Sequence, residues 1–534
     1  MQKLSLIWFK ISQKLAIKYL FFGLIGGLLM GLTVAPSNLW FLAWIALIPL
    51  WIALSKSTLT ATLAGFLWGC GYHGLALFWI TGIHPMTWMG VSWLNSLIIA
   101  IFCWLLITFW GAILVTIWSY ILHYIITHNL LKLKLISPIF IKIFLGVTIW
   151  CLLEKIWSFS PLWWTSLSLT QSPYNLAILQ LLKISGTTTI TALILLINGL
   201  FAENIILIIN NKQHFYKDKY NLIANAIIIL TITHGIGYIN YQIKISNNPL
   251  EVINIGIIQG NIPNEIKLYD TGLKTAIINY TNGYNDLAKQ KVDVILTPET
   301  ALPLFYDDIK NNSSFYQTII KQKIPLWLGA FDQIKNNYTN SLFFIDKEGI
   351  VITKYDKIKL VPLGEYIPFS NILGNLIDRL SPLDAHLIAG KKNQILNTTL
   401  GKVIVGICYD SAFAENFRFQ ASKGGEFIIT ASNNAHYSDA MPFQHHAQDV
   451  MRAIETDRYM AKATNTGYSA IIDPHGNTKW ISQLHQYQTH VGKIYRRNTK
   501  TLYVAKGDWL IILLTFLMMS YFFSHYFRGD RSNQ

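Results

Sequence analysis

The chain has 534 residues, of which 52% are hydrophobic and only 13% charged, a balance that excludes an ordinary soluble protein and makes a membrane class the first expectation. A formal charge of +15 would suggest nucleic acid as partner of a soluble chain, but many of the Lys and Arg sit in short segments between apolar runs. There they read as orientation signals, and no nucleic acid is expected. Of the cysteines Cys70, Cys103, Cys151 and Cys408, the first three fall inside long apolar runs, which excludes a secreted-type disulfide framework.

In chain order, Lys3, Lys10, Lys14 and Lys18 precede an apolar run, Tyr19 to Ala35. Alone it resembles a signal peptide; because further spans follow, it reads as a retained anchor. Candidate spans continue at roughly Leu39 to Leu54, Thr60 to Ile83, Trp93 to Leu122, Ile136 to Ile156, Leu179 to Ile209, Asn221 to Asn240 and Asp508 to Phe527. The expectation is therefore a polytopic helical membrane domain of about eight transmembrane helices in all, about seven of them in residues 1–245 and the last in residues 508–534 with a cytoplasmic tail. Lys56 follows the second span, Lys132 and Lys134 the fourth, Lys212, Lys217 and Lys219 the sixth, and Arg528 and Arg531 the last, so every second connection is basic. The connections Ile83 to Ser92 and Trp157 to Ser172 carry no Lys or Arg and are rich in Trp. Basic loops stay cytoplasmic, which puts the long segment before the last span outside, in the periplasm of a bacterium with two membranes.

That segment, residues 246–507, is polar with short apolar runs and has the length of one α/β domain. Strands are predicted at Val252 to Ile258, Val292 to Thr297, Pro325 to Ala330, Leu342 to Ile345, Val351 to Thr353, Val403 to Cys408, Phe427 to Ala431 and Tyr468 to Ile472. Helices are predicted at Lys274 to Lys289, Ser314 to Gln322 and Pro442 to Lys462. The alternation, broken by close strand pairs, predicts a mixed sheet layered with helices.

Chemistry concentrates at the ends of these strands. In K-V-I-V-G-I-C-Y-D a buried strand ends on Cys408, where the sheet holds the sulfur rigidly while it projects beyond the edge. In V-I-L-T-P-E-T a strand delivers Glu299, a general-base candidate if partial burial raises its pKa toward the working pH. In K-Y-D-K-I-K-L-V-P-L-G-E-Y stand Lys357 and then Glu365. Each has an ordinary reading: packing for Cys408, a helix cap for Glu299, a solvated charge for Lys357, a loop residue for Glu365. Their order favours the chemical one, since Glu, Lys and Cys on loops at one sheet edge form the set needed for acyl transfer through a thioester.

With these motifs the chain resembles the nitrilase superfamily, and within it the apolipoprotein N-acyltransferase family, over nearly its whole length. The E-K-I-W-S-F-S-P-L-W-W region, followed by Gln171 and Ser172, and T-L-Y-V-A-K-G-D-W before the closing helix add to the likeness. The resemblance implies an αββα sandwich over residues 246–507 with Glu299 as general base, Lys357 stabilising the oxyanion, Cys408 as nucleophile and Glu365 in support. It implies a backbone N–H of Tyr409 at the oxyanion, and Tyr409, Asp410 and His436 near the substrate. The acyl donor would be a membrane phospholipid, giving its sn-1 chain, and the acceptor the α-amino group of a diacylglyceryl-modified apolipoprotein; no cofactor and no metal are implied, and a monomer is expected. Two departures stand out: Asp410 where the family has Glu, and S-N-N-A-H-Y-S where it has S-N-D-A-W-F-G, so that Asn434 replaces Asp and His436 replaces Trp in a loop near the lipid entrance.

Two other classes stay open at this point. A membrane-tethered amidase or nitrilase would use the same triad and discharge the acyl-enzyme to water. A transporter or scaffold fares worse, because the clear acids within the spans, Glu154 and Glu203, lie near span ends. His436, His445 and His446 lack a consistent metal-ligand spacing. Trp88, Trp93, Trp157, Trp163 and Trp164 read as interfacial anchors, and Arg496 and Arg497 as solvated or as partners of lipid head groups.

Overall fold

A computed structural model describes residues 2–128, 130–131, 137–210, 219–335, 337–362, 364–366 and 387–530. Lys132, Lys134, Lys212, Lys217 and Arg531, counted above among the basic connections, lie outside these residues. The chain divides into two compact units, one of Met1–Phe78, Ile101–Gln242 and Asp508–Gln534, the other of Trp79–Ala100 and Ile243–Gly507.

The first unit is helical. Its helices include Gln2–Gly31, Thr58–Ala76, Pro138–Trp157, Thr187–Ile209, Lys219–Gln242 and Trp509–Asp530, with Trp93–Thr127 entering from the second unit. Among the described residues, three stretches, Trp93–Thr127, Thr187–Ile209 and Leu222–Gln242, are helices long and apolar enough to cross a membrane. Gln2–Gly31 packs on Thr58–Ala76 through small residues: a Cβ at Gly27 would sit 2.0 Å from the Trp68 carbonyl oxygen, so glycine is what lets the two backbones meet. The predicted span Leu39 to Leu54 is not a continuous helix. It is a 3₁₀ turn, Trp40–Trp44, followed by the six-residue helix Ile48–Ala53. The break is held from outside: Asn198 accepts from the Leu47 N–H and donates to the Ala43 carbonyl, both at 2.9 Å, and Trp68 Nε1 donates to the Ala46 carbonyl at 2.9 Å. Irregular backbone in an apolar setting requires such partners.

Two other predicted spans also differ from a single continuous helix. Thr60 to Ile83 stops at Ala76, and Leu179 to Ile209 resolves into two short helices and a long one that starts at Thr187, after Gly186 at φ +65°. The two acids noted in the predicted spans are buried and compensated. Glu203 pairs with Lys142 at 2.5 Å and accepts from Trp51 Nε1, while Glu154 accepts from the Leu167 N–H, Trp150 Nε1 and Thr191 Oγ1. Trp110, Trp150, Trp157, Trp163 and Trp164 line a cleft with Tyr72 and His73.

The second unit carries β1 (Val252–Gln259), β2 (Val294–Leu296), β3 (Leu326–Ile334), β4 (Asn337–Ile345), β5 (Val351–Asp356), β6 (Leu396–Thr398), β7 (Gly401–Ile407), β8 (Phe427–Ser432), β9 (Met460–Thr464), β10 (Ala470–Ile472), β11 (Thr478–Ile481) and β12 (Gln488–Tyr495). They form two six-stranded sheets, ordered β12-β1-β2-β3-β4-β5 and β11-β10-β9-β8-β7-β6. In each, three parallel strands, β1-β2-β3 and β7-β8-β9, are extended by antiparallel neighbours.

Period-two alternation sorts the side chains between layers. Ile255, Ile257, Leu296, Trp327, Leu342 and Phe344 meet Val403, Val405, Ile407, Ile429 and Ala461 in the core between the sheets. Ile258, Ile295, Leu328, Phe343 and Ile345 face the other way, onto helices Asp270–Ala288 and Ser314–Gln322. On the second sheet, Gly406 faces helix Ala414–Ser422, where a Cβ would come within 2.5 Å of Phe417. The architecture is a four-layer αββα sandwich. The predicted helix Pro442 to Lys462 is shorter than expected: it runs Ala440–Thr456, stops at Asp457 in the left-handed region (φ +56°), and Met460–Thr464 returns as a fully buried strand.

Candidate active site

Strand β7 is paired on both sides, and Cys408 follows its last residue. There the backbone turns abruptly into the 3₁₀ turn Cys408–Ala412, with Cys408 itself at φ +49°. A non-glycine residue in that region costs on the order of 1–3 kcal/mol and persists only where its surroundings over-determine it. Here they do. Asp410 Oδ2 accepts from the Ile407 N–H and from Tyr355 Oη, both at 3.0 Å, and its Oδ1 accepts from the Lys359 N–H at 2.9 Å. From the other side, His445 Nε2 lies 3.0 Å from the Cys408 carbonyl oxygen.

The remaining groups come from the first sheet. Glu299 lies just past β2 and Lys357 directly after β5; since β5 is antiparallel to β4, and β4 to β3, both leave the same edge. Lys357 Nζ donates to Glu299 Oε1 at 2.8 Å and to the Glu365 carboxylate at 2.9 Å, with its side chain only 1% exposed. Asn340 Nδ2, across the ladder on β4, donates to Glu299 Oε1 at 2.7 Å and to Glu365 Oε1 at 3.2 Å. The Asn433 N–H, just beyond β8, donates to Glu299 Oε2 at 2.8 Å, and the Val361 N–H holds Glu365 Oε2 at 2.8 Å. The geometry thus brings Glu299, Lys357 and Glu365 into one hydrogen-bonded cluster, and their charges act on the Cys408 thiol.

The electrostatics assign the resting protons. Burial pushes the Cys408 thiol up and the Glu299 charge adds to this, while Lys357 opposes it; the sulfur is protonated at rest. For Glu299 the sequence expectation of a raised pKa is corrected. Burial alone would raise it, but Lys357, Lys267 and Asn340 together outweigh that and hold the carboxyl below its ordinary value. Burial would lower Lys357, yet Glu299 and Glu365 keep it charged. The resting set is a thiol, a carboxylate and an ammonium, so a base is already in place for the thiol proton.

Asp410, expected near substrate, is instead fully buried, and its oxygens are engaged by the protein as described above. Burial, its largest perturbation, pushes its pKa up to about 6. Asp410 ties the nucleophile turn to the Lys357 segment. Tyr409 is buried with its ring set edge-on against Phe413 at 5.1 Å. His436 stays exposed, in a loop braced by Trp79: the Trp79 ring meets Tyr437 edge-on at 4.9 Å and its Nε1 donates to Gln444 Oε1 at 3.1 Å. His446 bonds Thr478 Oγ1, Arg496 pairs with Glu251, and Arg497 pairs with Asp457.

Sequence reasoning weighed His445 only as a metal ligand and missed Asn340, Asn433 and Lys267. The last is the least expected: Lys267 Nζ is buried and donates to the Glu299 carbonyl at 3.3 Å and to Thr300 Oγ1 at 3.0 Å. Burial depresses its pKa to about 8 against the pull of Glu299 and Cys408. Nothing in N-E-I-K-L-Y marks that lysine; Asn340, opposite Lys357 on a paired strand, was the one that register could have found.

Comparison with known proteins identifies the family. Residues 254–493 match the carbon-nitrogen hydrolase family model, and residues 26–200 match the apolipoprotein N-acyltransferase N-terminal domain. An apolipoprotein N-acyltransferase of Nostoc sp. is 50% identical over 497 residues, covering 91% of this chain and 96% of that protein. The chain belongs to the apolipoprotein N-acyltransferase family. Members from Synechocystis sp. and Thermosynechococcus vestitus are 45% and 37% identical, covering 91% and 93% of this chain and 96% and 93% of their own lengths. The sandwich is the nitrilase-like α/β part of an apolipoprotein N-acyltransferase family chain, and the N-terminal match falls on the helical part.

Proposed function

We propose that this protein transfers an acyl chain from a membrane phospholipid, through a thioester on Cys408, to the α-amino group of the S-diacylglyceryl cysteine that begins an apolipoprotein. The observation that carries the reading is the buried Lys357 shared between Glu299 and Glu365 beside a cysteine held at φ +49°, in a chain of this family.

Glu299 takes the Cys408 thiol proton as sulfur attacks the sn-1 ester carbonyl. Lys357 Nζ and the Tyr409 N–H stabilise the oxyanion. Collapse breaks the ester C–O bond, the leaving glycerol oxygen takes the proton back from Glu299, and lysophospholipid departs. The acceptor amine then attacks the thioester, gives a proton to Glu299, and the amide forms as the thiol is restored. Because both lipids carry long chains, donor must leave before acceptor enters, which makes the kinetics ping-pong. Glu365 and Asn340 keep Lys357 and Glu299 in place, Asp410 steadies the nucleophile turn, and the exposed His436 loop meets lipid.

The same reading places a helical membrane domain at residues 1–245, the catalytic domain at 246–507 and the last helix at 508–534, in the bacterial inner membrane with the catalytic domain in the periplasm. It includes about eight crossings, the second broken around Ala46 and Leu47 with its backbone satisfied by Asn198 and Trp68, and a monomeric enzyme. The test is mass spectrometry of a lipoprotein N-terminus from cells with and without this chain. Loss of one amide-linked acyl group is expected; an unchanged N-terminus would contradict the proposal.

A further inference from the structure

We infer that His445, fixed in one tautomer by Asn434, is a positioning residue that orients the Cys408–Tyr409 peptide and so aims the Tyr409 N–H at the acyl oxygen. The inference rests on the thioester reading above and adds a residue that acts through the backbone rather than on the substrate.

The tautomer follows from what each partner can do. A carbonyl oxygen only accepts, so the 3.0 Å contact between His445 Nε2 and the Cys408 oxygen requires the proton on Nε2. In a neutral ring Nδ1 is then an acceptor, and Asn434 Nδ2 stands 3.0 Å away as its donor. The ring is neutral: it is fully buried, and burial followed by the charge of Lys462 push its pKa down to about 3, with Asp449 opposing. Asn434 Oδ1 meanwhile is buried without a hydrogen-bond partner, and Gly467 makes room for it, since a Cβ there would lie 2.5 Å from that oxygen. Turning the amide over would satisfy neither side, because Oδ1 would then face the Nδ1 lone pair. The arrangement keeps one acceptor unsatisfied and preserves the chain of donors from Asn434 through His445 to the Cys408 carbonyl.

That carbonyl matters because the peptide is planar and trans: C=O and N–H point in opposite directions. Holding the Cys408 oxygen toward His445 therefore fixes where the Tyr409 N–H points. Cys408 sits at φ +49°, outside the usual basins, so the peptide that follows it would otherwise relax. The family pattern cited above has Asp where this chain has Asn434. A carboxylate there would stabilise the doubly protonated ring, which still donates from Nε2; the asparagine achieves the same donation from a neutral ring.

The experiment compares two reactions of Cys408 in the purified full-length chain in detergent: single-turnover acylation by phosphatidylethanolamine, which builds an oxyanion, and alkylation by iodoacetamide, which does not. His445→Ala is expected to slow acylation about 100-fold while alkylation changes by less than about 3-fold, the loss seen when one oxyanion donor is removed. His445→Gln, whose amide can still donate to the Cys408 carbonyl, should recover at least about tenfold of that loss. Asn434→Leu leaves the ring but frees its tautomer and should lower the acylation-to-alkylation ratio about tenfold, which reads the same effect if His445→Ala does not fold; Asn434→Asp should keep the ratio. Acylation unaffected by His445→Ala, both reactions falling together, or a Gln variant no better than Ala would overturn the inference while leaving the thioester reading intact. Failure of the unsubstituted chain to become acylated, with Cys408 still alkylated, would instead overturn the thioester reading and the inference with it.

Discussion

Replacing Lys357 by Met keeps the length of the side chain and removes the one charge that Glu299 and Glu365 share at 2.8 and 2.9 Å. The lysine side chain is 1% exposed and Glu299 6%, so water does not take its place. Two carboxylates, both within reach of Asn340, lose the cation they share, and Glu299 keeps only the weaker pull of Lys267. Breaking a buried pair in this way costs about 3–5 kcal/mol. Loss of an oxyanion donor should in addition slow acyl-enzyme formation by about 10²–10³. The two effects separate in Lys357→Met/Glu299→Gln: neutralising the orphaned carboxylate should recover much of the stability and none of the activity. The pH dependence has a definite sign. In native protein Glu299 is held below its ordinary pKa, so its contribution to stability is present above the unfolded value and lost as pH falls through the folded one. Without Lys357 burial dominates, the carboxyl rises above its unfolded value, and the variant should instead gain stability on acidification. Thermal unfolding of the purified chain followed between about pH 5 and 8 reads this, with an expected drop of roughly 6–20 °C at the upper end. A Lys357→Met protein as stable as Glu365→Gln at every pH, or a double variant no more stable than the single one, would refute the argument.

Because the Cys408 thiol is pushed above its ordinary pKa, its alkylation by iodoacetamide should rise about tenfold per pH unit up to about pH 9 without levelling; a plateau near neutrality would mean a preformed thiolate. Asn198→Leu strands the Leu47 N–H and the Ala43 carbonyl and should cost about 1–3 kcal/mol for each, read as faster thermal inactivation; an unchanged rate would show that the helix break between Trp44 and Ile48 needs no such partner. A cysteine at exposed Lys310 should react with a membrane-impermeant maleimide once the outer membrane is permeabilised. Labelling only after the inner membrane is opened would reverse the topology.

The α/β half was legible because its signals are local. Short apolar runs mark β1, β3 and β7, and Ser314–Gln322 ends where the pattern does, at Lys323 in the left-handed region. Glu299 and Cys408 could be named because each stands just after an apolar run, where a sheet edge presents chemistry, and Lys357 because it falls between them in the order Glu, Lys, Cys. What escaped is what depends on partners distant in the chain. Strand β9 reads M-A-K-A-T, and its Lys462 belongs inside only because Asp449 meets it there. Hydropathy could not reveal the break between Trp44 and Ile48, since its cause is Asn198, 151 residues from Leu47. The resemblance put Asp410 near the substrate, whereas the 3₁₀ turn sets it inward, on Tyr355 and Lys359. Glu299 was expected to be a weakly acidic base because burial was counted and Lys357 was not.

The central claim is a thioester that waits for an amine. Purified protein incubated with phospholipid alone should gain one acyl chain on Cys408, release lysophospholipid in about equal amount and stop, as a two-step covalent mechanism requires. Addition of a peptide with an S-diacylglyceryl N-terminal cysteine should then discharge the chain onto its amine. Continuous release of free fatty acid without acceptor, at a rate comparable to that transfer, would contradict the claim and identify a hydrolase.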